Sequence, residues 1–290
     1  MTPPNNHNTE ETMIPTPALP PFSPSQLTAL DHKPPQLVEL AARCGYSHAG
    51  IRLLPAAPGG AAYPLMDDEA LLRETLARIA DTGVKIFDLE MIRLNADFDP
   101  AQYTRFFEVG QRLGAQCILV ACDDADRARL IDSYARLCEA AKPYGLSGDL
   151  EFMPWTAAPG IHDAIEIISA ARPDNGGILI DALHFDRSGG TLADLDGLPR
   201  EWLHYAQICD GPAERPTTTE GLIHAARCER LLPGEGAINL AGIWKSLPAD
   251  LPVGVEIPND ARVPLVGVEH WARSALEAAK AIVIHARTAA

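Results

Sequence analysis

Acidic side chains end several strand-like segments of this chain, and they are the residues best suited to chemistry. Asp181 follows the apolar run 177–180, with His184 three residues later, and Glu151 and Glu256 end two other short runs. Carboxylates gathered in one place repel each other unless a cation neutralises them. The pattern indicates a divalent-metal site. Its plain alternative is that Asp181 caps a turn and His184 lies on the surface.

Eight strand-like segments must position these residues, and helical segments or long loops separate them. Alternating strands and helices of this length predict a parallel sheet, and eight strands close it into a barrel. The predicted strands are residues 26–30, 48–54, 84–90, 116–121, 148–153, 177–181, 203–209 and 251–256. An open doubly wound sheet is the alternative, but no glycine-rich phosphate loop follows the first segment.

We therefore predict the α/β class: a single (β/α)8 barrel over residues 26–290, preceded by a disordered tail over residues 1–25. The start of the chain is rich in Pro, Asn and Thr and shows no periodic pattern. Such a segment does not bury enough apolar surface to fold by itself.

In such a barrel, chemistry gathers at the C-terminal ends of the strands. Four of the predicted strands deliver oxygen-bearing side chains there, and alternation along each strand allows them to face inward. We predict one divalent metal ion bound by four residues: Glu151, Asp181, Gln207 and Glu256.

The order of these motifs resembles the xylose isomerase-like TIM-barrel superfamily. The matching features are Glu151, the Asp-x-x-His of 181–184, the ligand and Asp-Gly of 207–211, the Pro-Gly-Glu-Gly of 233–236, and Glu256. The superfamily includes sugar isomerases and epimerases, inosose dehydratases, 3-dehydroshikimate dehydratases and endonuclease IV. The resemblance implies metal ligation by Glu151, Asp181, the strand-seven residue and Glu256. It also implies acid/base roles for the two glutamates and a catalytic, substrate-side role for His184.

Two positions depart from the family pattern. Gln207 stands where the strand-seven ligand is usually histidine, and Met153 where dehydratases often carry a histidine. Glutamine offers an amide oxygen, so all four protein ligands would be oxygens. Such a set favours Mn²⁺ or Mg²⁺, with Co²⁺ and Zn²⁺ as the alternatives. The residues offer too few histidines for the multi-zinc site of an endonuclease IV.

The predicted function is a metal-dependent isomerase or epimerase, which abstracts a proton next to a carbonyl through a metal-stabilised enediolate. Loss of a β-hydroxyl from the same intermediate would instead make the protein a dehydratase of the 3-dehydroshikimate or inosose type. A third reading is a barrel that binds a ligand without turning it over. The predicted substrate is a keto-sugar or a polyhydroxy keto acid.

Further polar residues are predicted to bind the substrate, because an arginine fork suits a carboxylate or phosphate. They are Arg52, Glu90, Asp210, Arg215 and Arg230. For each arginine the alternative is a surface salt bridge. Arg230, close to the Pro-Gly-Glu-Gly turn, is the strongest candidate.

Composition restricts the partners. The formal net charge of -15 disfavours a nucleic-acid partner, and no apolar run reaches the roughly 18 residues that a membrane span requires. The six cysteines include no CxxC pair, which favours reduced thiols and a cytoplasmic protein. A homo-oligomer is left open.

Overall fold

The strands form one parallel sheet that nearly closes on itself. The computed structural model describes residues 19–288 and contains eight strands: β1 (Phe22–Pro24), β2 (His48–Arg52), β3 (Lys85–Leu94), β4 (Cys117–Cys122), β5 (Ser147–Glu151), β6 (Gly176–Asp181), β7 (Ala206–Ile208) and β8 (Val253–Val255). They run in the order β1-β8-β7-β6-β5-β4-β3-β2, and β1 and β2 lie side by side. The predicted (β/α)8 barrel is confirmed.

Helices surround the sheet. They are α1 (Pro34–Cys44), α2 (Glu69–Thr82), α3 (Thr104–Leu113), α4 (Arg127–Ala141), α5 (Ile161–Ala171), α6 (Ala182–Arg187), α7 (Leu192–Asp196), α8 (Thr219–Cys228), α9 (Leu240–Ser246), α10 (Val263–Val266) and α11 (Val268–Thr288). Over residues 19–288, no helix combines the length and the apolar character needed to span a bilayer.

The first strand is not where the sequence predicted it. Residues Gln26–Ala29 form a 3-10 helix, and β1 lies just before them and pairs with β8. The side chain of Ser25 accepts a hydrogen bond from the Leu27 N–H, which starts the helical turn. A three-residue strand that ends in proline carries no apolar run to reveal it. The barrel therefore begins inside the predicted tail, of which residues 1–18 lie outside the described part of the chain.

The long segment after β7 contains a helix that the sequence did not predict. Helix α8 begins after Thr218, whose side chain accepts a hydrogen bond from the Gly221 N–H at 3.1 Å. It ends at Cys228, two residues before Arg230. Helix α8 thereby brings its last turn and Arg230 to the mouth of the barrel.

The inside of the barrel is filled below that mouth. Phe87, Leu119, Leu179 and Tyr205 form a small apolar cluster, with Phe87 and Tyr205 packed edge to face. Inward side chains of alternate strands pack in layers in this way in (β/α)8 barrels. The interior of the barrel is therefore packed, and this packed layer closes the bottom of the cavity above it.

Candidate active site

The C-terminal ends of the strands open into a cavity of about 290 Å³. Predicted site residues at the ends of three strands, together with one in α6 and one that follows α8, meet there. Those that line it are Arg52, Glu151, His184, Arg230 and Glu256. The apolar part of its wall includes Met153 and Trp155.

The structure gathers the four predicted metal ligands at this mouth. Ligand atoms of Glu151, Asp181 and His184 lie within 4.8 Å of one another. Gln207 is the register partner of Asp181, and its Nε2 donates a long hydrogen bond of 3.4 Å to Glu256 Oε1. His184 belongs to this group by position, although the sequence analysis gave it only a catalytic role.

Three atoms at this place have no hydrogen-bond partner among the described residues. They are Glu151 Oε1, Gln207 Oε1 and His184 Nδ1, all buried. A buried polar atom left unpaired costs about 1–3 kcal/mol, so native structures rarely leave several together. A divalent cation would satisfy the two oxygens and offset the repulsion between the carboxylates. The residues present therefore fit a bound metal ion.

Arg230 is buried beside two of the predicted ligands. Its Nη1 donates to Asp181 Oδ2 at 2.5 Å, and its Nη2 lies 2.9 Å from Glu256 Oε2. Its Nε donates to the Ala226 carbonyl at 2.7 Å, which fixes the plane of the guanidinium. Burial would raise the pKa of Asp181, but the Arg230 guanidinium and the contacts with His184 together lower it. Arg230 keeps Asp181 ionised and orients both carboxylates.

Ser25 joins two acidic residues and was missed by the sequence analysis. Its Oγ lies 2.6 Å from Glu90 Oε1 and 2.7 Å from Glu256 Oε1. A hydroxyl has one hydrogen, so both contacts are favourable together when one of the carboxyl groups is protonated. Burial raises the pKa of Glu256 to about 7 against the opposing effect of Arg230. Correct placement of β1 would have revealed Ser25 as another strand-end residue.

Arg52 and Glu90, both predicted to bind substrate, pair with each other. Arg52 Nη2 lies 2.6 Å and its Nε 2.7 Å from Glu90 Oε2, and both side chains are buried. Their charges are therefore largely compensated inside the protein. Arg52 still contributes to the cavity wall.

Glu151 and His184 face each other across the cavity floor. Burial, followed by the nearby Glu256 and Asp181, raises the pKa of Glu151 well above its usual range. Burial lowers the pKa of His184 to about 4, so its imidazole is neutral at pH 7. His184 Nε2 lies 3.7 Å from Glu151 Oε1, and its ring stands edge-on to Trp155 at 5.1 Å.

Asp210 and Arg215 lie apart from this group. Asp210 is buried, and its two carboxylate oxygens accept four backbone N–H bonds of 2.8–3.1 Å, from Gly211, Gly234, Gly236 and Ile238. Arg215 is half exposed and lies 3.0 Å from Asp186, outside the cavity. We interpret Asp210 as the residue that positions the 233–236 turn, and Arg215 as a surface ion pair.

A second group of metal-ligating types lies at the other end of the strands. Cys117, Asp149 and His204 come within 4.8 Å of one another. His204 Nδ1 lies 2.7 Å from Asp149 Oδ1, and Ser147 Oγ donates to Asp149 Oδ2 at 2.6 Å. Both oxygens of the buried carboxylate thus have partners within the protein. We interpret this group as structural.

Fold and cavity together define a (β/α)8 barrel with a carboxylate-rich site at the C-terminal ends of its strands. The model for the family described as xylose isomerase-like TIM barrel matches residues 38–282. The chain belongs to this family, which confirms the resemblance in its motifs.

Two curated proteins are similar to parts of the chain. A 3-dehydroshikimate dehydratase from Pseudomonas aeruginosa is 27% identical over 202 residues, which are 68% of this chain and 29% of that protein. An inosose isomerase from Halalkalibacterium halodurans is 32% identical over 115 residues, 38% of each protein. Each match thus spans well under half of the relative's own length.

The fold is also similar to solved structures. The crystal structure of the IOLI protein, which holds a zinc atom, superposes with a TM-score of 0.75 at 20% identity. The superposition covers 91% of this chain and 98% of that one. It confirms the fold.

Proposed function

We propose that the protein is an isomerase or epimerase that moves a proton next to the carbonyl of a keto-sugar or similar polyhydroxy compound. The observation that carries the proposal is that two buried glutamates, Glu151 and Glu256, line one cavity of about 290 Å³. Two carboxyl groups facing one substrate can remove a proton and return it at another position or face. The family includes enzymes of this type, which supports the proposal.

The two glutamates would have different roles. Glu151 Oε1 is buried without a partner among the described residues, and a cation bound beside it would keep the carboxylate ionised and able to take the proton. Glu256 is held by Arg230 and by Ser25, and it would deliver a proton from a fixed position. His184, neutral at pH 7, would donate or accept a hydrogen bond at a substrate hydroxyl.

A divalent ion held by Glu151, Asp181, Gln207 and Glu256 would polarise the substrate carbonyl as a Lewis acid. We propose Mn²⁺ or Mg²⁺, because the four donor atoms are oxygens. The zinc atom of the IOLI protein keeps Zn²⁺ as the alternative to be tested. The chain's free cysteines support our proposal of a reducing, cytoplasmic location.

Dehydration is the second candidate. The match to the 3-dehydroshikimate dehydratase covers 68% of this chain, against 38% for the inosose isomerase. In that reaction Glu151 would again take the proton, and the second carboxyl group would protonate the leaving hydroxyl. Met153 lines the cavity at the position where dehydratases often carry a histidine. No histidine is therefore present there to act as the base.

Solvent deuterium incorporation tests the proposal. The metal-loaded protein is incubated in D₂O with an inosose, a keto-sugar or 3-dehydroshikimate, and the products are analysed by NMR. Glu151→Gln and Glu256→Gln should each lower the exchange rate by about 10²–10⁴-fold, the usual contribution of general acid–base catalysis. Glu139→Gln, an exposed position on α4, is the matched control.

Each outcome has a definite meaning. Exchange without loss of water supports isomerisation, and loss of water identifies a dehydratase. Near-native exchange in either glutamate variant would contradict its assigned role. Binding of a compound with no exchange and no turnover would favour the non-catalytic reading.

A further inference from the structure

Arg227 is an arginine of the cavity that lacks an acidic partner in the described part of the chain. It lies in the last turn of α8, is half-buried, and lines the same cavity as Glu151 and Glu256. Within residues 19–288, its guanidinium makes no ion pair or hydrogen bond with another side chain. The sequence analysis missed it because it did not predict α8.

The other arginines of the cavity are neutralised from within the protein. Arg52 is paired with Glu90, and Arg230 with Asp181 and Glu256. The guanidinium of Arg93 donates two hydrogen bonds of 2.5 Å to Asp123. Of the four arginines that line the cavity in the described part of the chain, Arg227 therefore has the uncompensated charge.

The surroundings of Arg227 favour an anion. Burial, and then the neighbouring Arg93 and Arg52, lower the pKa of Arg227. A guanidinium remains protonated even so, so the positive charge persists at neutral pH. Besides Glu151 and Glu256, the acidic residue on the cavity wall is Asp260, which is exposed, and its backbone N–H donates to the Cys228 carbonyl. An incoming carboxylate or phosphate would relieve the repulsion at Arg227.

The size of the cavity restricts the source of that anion. At about 290 Å³ it is at the small end of ligand pockets and has room for one compact molecule. Met91, Met153 and Trp155 form an apolar wall suited to the face of a ring or carbon chain. The anionic group and the reacting carbonyl therefore belong to one substrate.

We propose that Arg227 binds an anionic group of the substrate, a carboxylate or a phosphate. The substrate class is then an acidic polyhydroxy keto compound, either a keto acid or a sugar phosphate, and not a neutral inosose or sugar. This inference rests on the proposed function and deepens it. Arg227 would act as a specificity residue, remote from the proton transfer itself.

Two pairs of ligands, in each of which only one member carries the anionic group, test the inference. One pair is 3-dehydroshikimate and its methyl ester, and the other is fructose 6-phosphate and fructose. Their affinities are measured by calorimetry with the full chain under conditions without turnover. One charged member should bind about tenfold more tightly than its neutral partner, the contribution of a charge-assisted hydrogen bond. The pair that shows the preference identifies carboxylate or phosphate.

Variants of Arg227 test whether the preference for the charged ligand depends on this side chain. Arg227→Gln should abolish the advantage of the charged ligand, and Arg227→Lys should retain part of it, because lysine keeps the charge and loses the fork. Arg73→Gln on the exposed face of α2 removes the same charge elsewhere and should leave the preference unchanged.

The inference is overturned by equal binding of charged and neutral members to the native protein. It is also overturned by a preference that survives in Arg227→Gln, or by failure of both anions to bind at millimolar concentration. Deuterium exchange without a charge preference would refute this inference alone. A charge preference without exchange would refute the proposed function alone.

Discussion

Replacement of Asp210 tests whether this buried carboxylate holds the cavity loop or meets the substrate. Two of its four backbone bonds, from Gly211 and Ile238, end on Oδ1, and two, from Gly234 and Gly236, end on Oδ2. In Asp210→Asn one oxygen becomes an NH₂ group, so two backbone N–H groups lose their acceptor and face a donor instead. In Asp210→Ala all four lose it.

The expected loss of stability follows from the number of backbone N–H groups that lose their acceptor. Each buried donor left unsatisfied costs about 1–3 kcal/mol, and the partial exposure of this turn favours the lower half of that range. We expect Asp210→Asn to lower the free energy of unfolding by about 2–4 kcal/mol, and Asp210→Ala by about 4 kcal/mol or more. Asp210 also forms an isolated backbone bridge with Leu231, next to Arg230. We therefore expect the loss of structure to be concentrated in the loop that contains these residues and the 233–236 turn.

Urea unfolding measures the loss of stability, and amide hydrogen exchange over residues 231–238 locates it. Asp132→Asn, on an exposed face of α4 with only a 3.8 Å contact to Arg136, is the matched control. Stability of Asp210→Asn within about 0.5 kcal/mol of the native protein, the range of a surface change, would refute the reasoning. Loss of ligand binding at unchanged stability would restore Asp210 as a substrate residue.

Three further predictions concern single residues. The bond to Asp149 outweighs burial and raises the pKa of His204, so its stabilising effect is complete below about pH 6.5 and is lost as pH rises through the folded value. Unfolding free energies measured from about pH 6 to 9 should therefore fall less steeply in His204→Gln than in the native protein, and parallel curves would contradict this. Gln207→His should shift bound metal towards Zn²⁺ or Co²⁺ in competition assays read by elemental analysis, and an unchanged metal preference would show that this position does not select the ion. Gly236→Ala places a methyl group against the carboxylate that accepts its N–H and should cost about 1–3 kcal/mol, whereas Gly197→Ala, which meets nothing within 4 Å, should be neutral in the same unfolding assay.

Much of the fold could be predicted from the sequence because buried parallel strands are continuous apolar runs. β4, with all six residues buried, and β6 are of this kind, and both lie where the sequence placed them to within one residue. β1 escaped because it has three residues and ends in Pro24. Residues 26–30 looked like a strand because three of their five side chains are apolar, a property that a 3-10 turn can share.

The candidate site was predictable where strand ends carry acids, and less so elsewhere. Glu151, Asp181 and Glu256 could be identified because each lies at or near the end of a predicted strand. Ser25 and Arg227 could not, since each depends on an element, β1 or α8, that carries no clear periodic pattern. The pairing of Arg52 with Glu90 depends on the register of neighbouring strands, which sequence spacing does not specify.

Because β1 pairs with β8, the site can be completed only late in the synthesis of the chain. The hydrogen bond between Ser25 and Glu256 spans 231 residues, and β1 gains its neighbour only when Val253 is present. At about 5–20 residues per second, a ribosome needs at least ten seconds or so between synthesis of the two ends. During that interval β1 cannot pair with β8, and Ser25 cannot form its hydrogen bond with Glu256. The polypeptide can bind its proposed metal with all four ligands only after nearly the whole chain has left the ribosome.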